Sequence, residues 1–537
     1  MDNQKFFLII AIGLSIFLLW DRWQATHDEH GNPIVITQPV AQQSAVAAET
    51  TGADVPSVVS NNSSDLPGTQ TSQSVQPFVT VNTDTLALQI SLKGGTVQSA
   101  HLNQYPISLG SEDKFQLLSN TPGELFQAQS GLLPQNVMPT HHSTYTSAQN
   151  NYVMTGDTLT VPLTYQSGGV SVTKNFHFTR DSYVVAVDYQ VSNQTNNNIN
   201  VSSYTQLARN AIDESSLMMP TFSGGARFDD EEVFEKLDFD EFDTNLDSKS
   251  QGGWWAMVQH YFLAAWIPDA NETHTYSSKS SNGKYLLTTV NPANTIAPGA
   301  SATLKANRLY VGPKEQARID AAAPGLDKTV DYGVLFIIAK PLAELLHWIH
   351  SWVNSWGYAI IILTILIKLA FYKLSEKSYR SMAGMRKLAP RLEQIKEAYG
   401  DDKQKMGVKT MELYKKEGVN PASGCLPILV QIPVFISLYW VLLEMVELRQ
   451  TPFWYLADLS AEDPYFILPI IMGLSMIVQQ KLNPTPPDPM QAKIMMSLPF
   501  VFTLFFLWFP SGLVLYWVVN NVLSIAQQWV INKRING

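Results

Sequence analysis

The sequence predicts a multi-domain membrane protein that combines a polytopic α-helical bundle of six transmembrane helices with a large all-β domain. Three observations predict this fold class: apolar segments of nearly spanning length, residues 77–325 with alternating apolar and polar positions, and an uneven distribution of charge. Residues 21–340 carry 17 Lys and Arg against 31 Asp and Glu, whereas the remainder carries 19 against 15. We therefore expect the two parts to lie in different compartments.

The N-terminal region predicts an anchor followed by a linker. Residues 6–20 form a short apolar run behind Lys5, and the following sequence, DRWQATHDEH, contains no small-residue cleavage pattern. We expect residues 1–21 to form an uncleaved transmembrane anchor. Residues 22–76 are rich in Ser, Thr, Gln, Asn, Ala and Val, which indicates a flexible linker outside the cytoplasm.

Residues 77–325 predict an antiparallel β domain, most simply a sandwich. Runs such as LALQISL, VSVTKNFHF and YVVAVDYQV alternate with period two and are separated by Gly, Asn, Asp and Ser. The pair His141 and His142 could be imagined in a metal or sugar site of a tethered carbohydrate-active enzyme, but no further ligand follows at suitable spacing. Cys425 is the single cysteine, which excludes an intramolecular disulfide and a cysteine-based metal site. We therefore expect no metal, no cofactor and no enzymatic activity.

The acidic segment DDEEVFEKLDFDEFD, residues 229–243, bears on possible partners. No phosphate-binding motif lies near it, so it argues against a nucleic acid partner. A solvated face, a flexible loop and a docking site remain alternatives.

Residues 326–355 predict an interfacial region before the helical core, which we place at residues 356–537. The segment PLAELLHWIHSWVNSW spaces its apolar residues at i, i+3, i+4 and i+7 and carries three tryptophans. Such a helix is expected to lie flat at the membrane surface. His347 and His350 are interpreted as residues of its polar face.

Five apolar segments follow, at residues 356–372, 425–446, 465–478, 494–509 and 512–531. With the anchor they make six predicted spans, several of them slightly short of about 20 residues. The loop at residues 373–424 contains 12 Lys and Arg and is expected to be a helical hairpin interrupted near Pro390, either a solvated hairpin or a docking platform. Positive-inside counting places this hairpin and both termini in the cytoplasm and the β domain outside.

Lys368 is the most informative residue of the core because it lies inside the first of these five segments. A lysine near a helix centre costs about 2.5 to 3.5 kcal/mol, and each Leu, Ile or Phe returns about 0.3 to 0.6 kcal/mol. Nine such residues between Ile360 and Phe371 roughly offset that cost. The charge should face a wet protein interior, or it snorkels to the headgroups near Lys373, about 7.5 Å further along the helix.

Polar residues on other segments accompany this cation. Such residues are often contacts between helices, but several of them around one cation suggest a water-accessible groove. The candidate substrate-groove residues are Lys368, Thr364, Gln431, Tyr516, Trp517 and Asn520.

Residues 356–531 resemble the YidC-type membrane protein insertases of Gram-negative bacteria. The resemblance is carried by GDDKQKM, NPASGCLPILVQIPVF, DPYFILPIIMG, DPMQAKIM and LFFLWFPSGLVLYWVVNN. It implies a periplasmic supersandwich domain similar to galactose mutarotase, and a five-helix core whose hydrophilic groove is open to the cytoplasm and lipid but closed to the periplasm. The groove cation of this family is usually Arg, whereas Lys368 stands here, and residue 517, often Tyr in close relatives, is Trp. Lysine keeps the charge but loses the planar fork of arginine.

The resemblance implies insertion and folding of nascent inner-membrane proteins, alone or with the secretion channel. Implied partners are nascent chains, accessory subunits of the secretion channel, ribosomes and targeting factors at the cytoplasmic loops, and membrane lipid. The alternative is an ion-coupled transporter that uses Lys368, which predicts inverted repeats and an acidic residue within the membrane. We detect no such repeat among the spans.

Overall fold

The computed structural model describes Pro56 and residues 77–536, except residues 135–137, 213–220, 230–232, 245–246, 282, 400–401, 420–425 and 483–488. The predicted anchor, nearly all of the predicted linker, and Cys425 lie outside the described residues.

Nineteen strands in the described part of the chain pair into two sheets. The strands are β1 (Phe78–Asn82), β2 (Leu86–Ser91), β3 (Thr96–Pro106), β4 (Lys114–Leu118), β5 (Phe126–Leu133), β6 (Asn151–Val153), β7 (Thr158–Ser167), β8 (Val170–Thr179), β9 (Val184–Asn193), β10 (Ile199–Arg209), β11 (Gly224–Phe228), β12 (Phe234–Leu237), β13 (Asp247–Gln251), β14 (Trp254–Val258), β15 (Phe262–Ile267), β16 (Thr273–Ser281), β17 (Lys284–Val290), β18 (Asn294–Ile296) and β19 (Ser301–Pro313). The first sheet runs β13-β16-β17-β10-β5-β3-β2-β1-β6, with β18 beside β10 and β4 beside β3. The second runs β12-β11-β14-β15-β19-β9-β8-β7.

The two sheets share one apolar core. In β8 and β9 every second residue is buried, as their alternating sequences predict. Tyr189 of β9 donates to the Ser130 hydroxyl of β5 at 2.9 Å, and the indole of Trp266 donates to the Gln206 carbonyl at 3.2 Å. The predicted antiparallel β domain is confirmed, with one parallel pair between β1 and β6.

A lysine lies fully buried between the sheets, on the same inward face of β8 as Val172 and Phe176. The Lys174 ammonium donates to the carbonyl oxygens of Gly94 at 3.0 Å, Gly95 at 2.8 Å and Ser130 at 3.2 Å. Burial lowers the pKa of Lys174 well below its ordinary value. Gly94 has φ 77°, and a Cβ there would come within 2.1 Å of the His141 carbonyl, so the turn next to the lysine requires glycine.

Ten described α-helices follow the strands. They are α1 (Gln316–Ala322), α2 (Phe336–Val353), α3 (Trp356–Ala370), α4 (Tyr372–Lys387), α5 (Ala389–Tyr399), α6 (Lys403–Lys416), α7 (Leu426–Glu444), α8 (Ile467–Leu482), α9 (Pro489–Phe505) and α10 (Ser511–Asn536). Helices α4, α5 and α6 form the predicted hairpin region, and the break at Leu388 directly precedes the predicted interruption at Pro390. The axes of α3 and α4 differ by 65°.

Length and composition identify few spanning helices in the described part of the chain. One helix, Gly333–Val353, is long and apolar enough to cross a membrane, and the bent pair α3 and α4 would add a second if it forms one span. The apolar helices Leu429–Glu444, Ile467–Leu482 and Lys493–Trp508 are shorter than a standard span. The predicted count of six spans is therefore not confirmed.

The helix that qualifies by itself contains the segment predicted to be interfacial. Helix α2 buries Ala339, Ala343, Leu346 and Ile349 and exposes Trp348 and Trp352. This division into two faces agrees with the predicted amphipathic pattern. Its placement at the membrane surface stays a prediction.

A buried ion pair joins the β domain to the helical core. Lys314, directly after β19, places its ammonium 2.9 Å from the carboxylate of Glu444, the last residue of α7, and the two side chains are only 2% and 1% exposed. Nearby, the Glu447 carboxylate accepts from the Gln316 amide at 3.3 Å and lies 3.1 Å from His347 Nε2.

The same junction extends to the end of β3 in the first sheet. Arg449 donates to the Ile107 carbonyl at 3.0 Å, and Gln450 donates to the Pro106 carbonyl at 2.9 Å. The loop after α7 is thus held by both β3 and β19.

Candidate functional site

The side chain of Lys368 points to polar groups of other helices. Its ammonium donates to the Ser524 hydroxyl of α10 at 2.7 Å, and it lies 3.5 Å from Gln431 Oε1 of α7. Among the described residues, no carboxylate forms an ion pair with it. By contrast, Lys373 has a 93% exposed side chain. This geometry favours a cation facing the protein interior over a snorkelling one.

The partners of Lys368 are linked to one another. Gln431 donates its amide to the side-chain oxygen of Asn520, and the Ser524 hydroxyl donates to the Asn520 backbone carbonyl at 2.7 Å. Asn520 and Ser524 are four residues apart, so they share one face of α10. Helices α3, α7 and α10 therefore meet at a chain of polar groups.

This polar chain lies beside a cavity of about 270 Å³ between α7, α8, α9 and α10. Polar and apolar side chains both line it. They are Gln431, Ile432, Phe435, Met476, Gln479, Gln480, Met495, Leu498, Pro499, Tyr516, Trp517, Asn520, Asn521 and Ser524. Lys368 lines a smaller adjoining cavity, and Gln431 belongs to both linings. The Lys368 ammonium thus contacts two side chains of the main cavity wall, Gln431 and Ser524.

Apolar faces surround this cavity on the outside of the bundle. Helices α8 and α9 expose many large apolar side chains, among them Ile470, Leu474, Val478, Phe500, Val501 and Leu504. An apolar surface of this extent requires lipid or another apolar partner.

The loop between α7 and α8 closes the end of the bundle near the β domain. Its backbone accepts two hydrogen bonds from the start of α10, from the Ser511 amide to Ala461 at 2.7 Å and from the Gly512 amide to Leu459 at 2.9 Å. The buried Asp463 carboxylate accepts from the Tyr455 hydroxyl at 2.8 Å and from the Leu468 amide at 2.7 Å, which caps the start of α8. These polar groups are thereby paired within the protein.

Four of the six residues predicted from the sequence line the main cavity: Gln431, Tyr516, Trp517 and Asn520. Lys368 adjoins it, as described above. Thr364 does not reach it: its side chain is buried, and its hydroxyl donates to the Ile360 carbonyl of the same helix at 2.7 Å. The helical spacing of four residues places it near Lys368, but not in the groove.

Sequence analysis missed Ser524, although this hydroxyl is the nearest partner of the cation. It also left out Gln479 and Gln480 at the end of α8. The available signal was the series Asn520, Ser524 and Gln528, in which polar residues recur every four positions.

The β domain offers no comparable site in its described part. His141 Nδ1 lies 2.6 Å from the Tyr204 hydroxyl, and its ring packs 4.1 Å from that of His142. No three His, Cys, Asp or Glu residues of the described chain are grouped so as to hold a metal ion.

Comparison with known proteins agrees with this architecture. Residues 348–537 match the family described as 60Kd inner membrane protein, and residues 78–345 match the YidC periplasmic domain. The chain is 65% identical to the membrane protein insertase YidC of Ruthia magnifica subsp. Calyptogena magnifica, and the alignment covers 100% of both chains. It is 45% identical to the insertase of the same name from Methylococcus capsulatus, over 100% of this chain and 99% of the relative.

A solved structure described as an active YidC insertase with the first transmembrane domain resolved covers 84% of this chain and 94% of its own, at 18% identity and a TM-score of 0.40. None of these comparisons supports the transporter alternative. The identity over the full length shows the family directly. This chain belongs to the YidC family of membrane protein insertases.

Proposed function

We propose that this insertase receives the hydrophilic tail of a nascent membrane protein at the cluster around Lys368. The apolar segment of that substrate moves along the exposed face of α9 and along that of α7, which is formed by Leu429, Ile432 and Ile436. One observation carries the proposal: a cation with neutral partners, Ser524 and Gln431, stands beside a cavity that is bordered by apolar helices. Such a site attracts a carboxylate without supplying one of its own. The proposed groove residues are Lys368, Gln431, Ser524, Tyr516, Trp517 and Asn520.

The barrier that this site lowers is desolvation. Each unpaired polar group costs several kcal/mol in hydrocarbon, and an unpaired charge costs more. Ammonium, amide and hydroxyl groups at the cavity replace part of the lost water, so the tail crosses in two smaller steps. The apolar segment supplies free energy by entering lipid, and the membrane potential adds about 2.3 kcal/mol per charge per 100 mV. No covalent step is required.

The proposed topology follows the charge distribution. Both termini and the hairpin at residues 373–424 lie in the cytoplasm, six helices span the inner membrane, and the two-sheet domain, of supersandwich type, lies in the periplasm. In this arrangement the hairpin receives ribosomes or targeting factors. The β domain faces the accessory subunits of the secretion channel.

Insertion of a single-span substrate with an acidic tail into proteoliposomes tests the proposal. Protease protection of the tail measures the yield for the unmodified protein and for the Lys368→Ala, Lys368→Arg and Lys373→Ala variants. Loss of a charge-assisted hydrogen bond costs about 1.5 to 3 kcal/mol, which corresponds to about a 10- to 100-fold slower insertion in Lys368→Ala.

Lys368→Arg keeps the charge and should retain most activity, and Lys373→Ala removes an exposed lysine as a matched control. Full activity of Lys368→Ala would refute the role of this charge and leave the apolar faces as the main determinant. Absence of insertion by the unmodified protein would refute the proposed function itself.

A further inference from the structure

A second cavity, of about 170 Å³, lies between the end of α4, the C-terminal end of α8 and the last turns of α10. It adjoins the proposed substrate groove through Tyr379, whose hydroxyl is hydrogen-bonded to Ser524, but the two linings share no residue. Its lining combines two cations, a phenol and two amides with three apolar side chains, and none of these residues is acidic. They are Tyr379, Met382, Ala383, Arg386, Lys387, Leu482, Gln528 and Asn532.

The cavity lies beyond the groove on the side of the basic hairpin. Gln528 and Asn532 follow Ser524 by four and eight residues on α10, so they lie about 6 and 12 Å further along the helix axis. The exposed Lys533 and Arg534 come directly afterwards. In the topology proposed above, on which this inference rests, the cavity stands at the depth of the cytoplasmic headgroups.

Hydrogen bonds fix the polar groups of the lining. Arg386 donates to the carbonyl oxygens of Lys481 at 3.2 Å and Leu482 at 2.6 Å, which satisfies the last carbonyls of α8 and holds the guanidinium at the cavity wall. Gln528 donates to the same Leu482 carbonyl at 3.1 Å. The partial negative charge of this helix end is therefore already paired with a cation.

We propose that this cavity binds a phosphate group, namely that of an anionic phospholipid in the leaflet next to the hairpin. Arginine and lysine side chains bind phosphate oxygens through charge-assisted hydrogen bonds, and the amides and the phenol add neutral donors. Met382, Ala383 and Leu482 give the cavity an apolar wall, which suits the glycerol and first acyl carbons of a lipid better than a free ion. A bound lipid would join α4 to α8 and α10 at the base of the hairpin.

The experiment uses the full-length protein purified in detergent. Native mass spectrometry measures binding of phosphatidylglycerol and of phosphatidylcholine, and a separate titration uses inorganic phosphate. The double variant Arg386→Gln with Lys387→Gln removes both cations from the lining, and Ala383→Leu fills the cavity without changing charge. The control Lys373→Gln with Lys377→Gln removes two lysines from the same helix that are not part of the lining.

We expect phosphatidylglycerol to bind at least tenfold more weakly to the first double variant and to Ala383→Leu, and within twofold of normal to the control. Equal loss in both double variants would overturn the site, because it would show a diffuse charge effect. Unchanged binding in all variants would overturn it as well.

Inorganic phosphate bound at the same residues, without retention of phosphatidylglycerol, would overturn the lipid assignment and make this a site for free phosphate. The thermal unfolding midpoint confirms that each variant is folded. Lipid binding is measured without any insertion assay, so failure of this inference and failure of the proposed function give different results.

Discussion

Removing one partner of the buried pair between Lys314 and Glu444 should loosen the junction between the β domain and the helical core. The two groups are 2.9 Å apart and almost wholly excluded from solvent, so Lys314→Met leaves a buried carboxylate without its cation. Breaking a pair of this kind costs about 3 to 5 kcal/mol. The double variant Lys314→Met with Glu444→Gln removes both charges and should recover most of that loss.

Hydrogen exchange at the junction measures this cost directly. The Gln316 backbone amide donates to the Glu447 carboxylate across the junction at 3.3 Å, so its exchange reports opening of the junction. Because each 1.4 kcal/mol changes an equilibrium constant tenfold, we expect amide exchange at the junction to be about 10²- to 10⁴-fold faster in Lys314→Met.

The matched control is Lys305→Met on β19, the strand that Lys314 directly follows. Lys305 also has a 2.9 Å ion pair, with Glu272, but its side chain is 52% exposed. Solvent screens an exposed pair, so its loss should change exchange at the junction little. Equal exchange in Lys305→Met and Lys314→Met would contradict a specific role for the buried pair. So would a double variant whose junction exchanges as fast as that of Lys314→Met.

Two further predictions concern buried basic groups of the β domain. Burial, and then the neighbouring Lys314 charge, lower the pKa of His260 to about 4 despite the Glu444 carboxylate 4.0 Å away, so the native junction holds a neutral imidazole. The stability that the neutral imidazole contributes is fully present above about pH 6.5 and is lost as pH falls towards 4. Hydrogen exchange at the junction should therefore become faster over that pH range in the unmodified protein and stay constant in His260→Gln. An equal acceleration in the variant would contradict this prediction. Lys174→Met removes the donor to three buried carbonyls and should lower the free energy of unfolding by about 3 to 5 kcal/mol, which a lower thermal unfolding midpoint would show. The control Lys93→Met replaces an exposed lysine and should change the free energy of unfolding by less than about 0.5 kcal/mol. Equal midpoints in the two variants would count against the role of Lys174.

The strands of the β domain could be predicted from the sequence because period-two alternation reports directly on burial in a sheet. The alternating runs at β8 and β9 coincide with observed strands. Lys174 stands on the inward face of β8 with Val172 and Phe176, but the alternation cannot show which groups pair its ammonium. Only the tertiary arrangement of β5, β8 and the Gly94 turn shows that its ammonium has three carbonyl partners.

The groove residues could be predicted only in part from the sequence. An isolated lysine in an apolar helix marks a costly position, so Lys368 and the amide of Gln431 could be found in the sequence. Serine carries no such signal, since it often bonds to its own helix, and Ser524 does so through Asn520. Thr364 shows the reverse error, because helical spacing gives a shared face but not the direction in which a hydroxyl donates.

The neutral partners of Lys368 have a consequence for turnover. A carboxylate built into the same wall would hold the ammonium at all times, and each arriving substrate would have to displace it before binding. Hydroxyl and amide partners give way to an anion at little cost and return when it leaves. In the proposed mechanism, each departing substrate takes its own counter-charge along, so the groove is restored for the next chain without a separate resetting step.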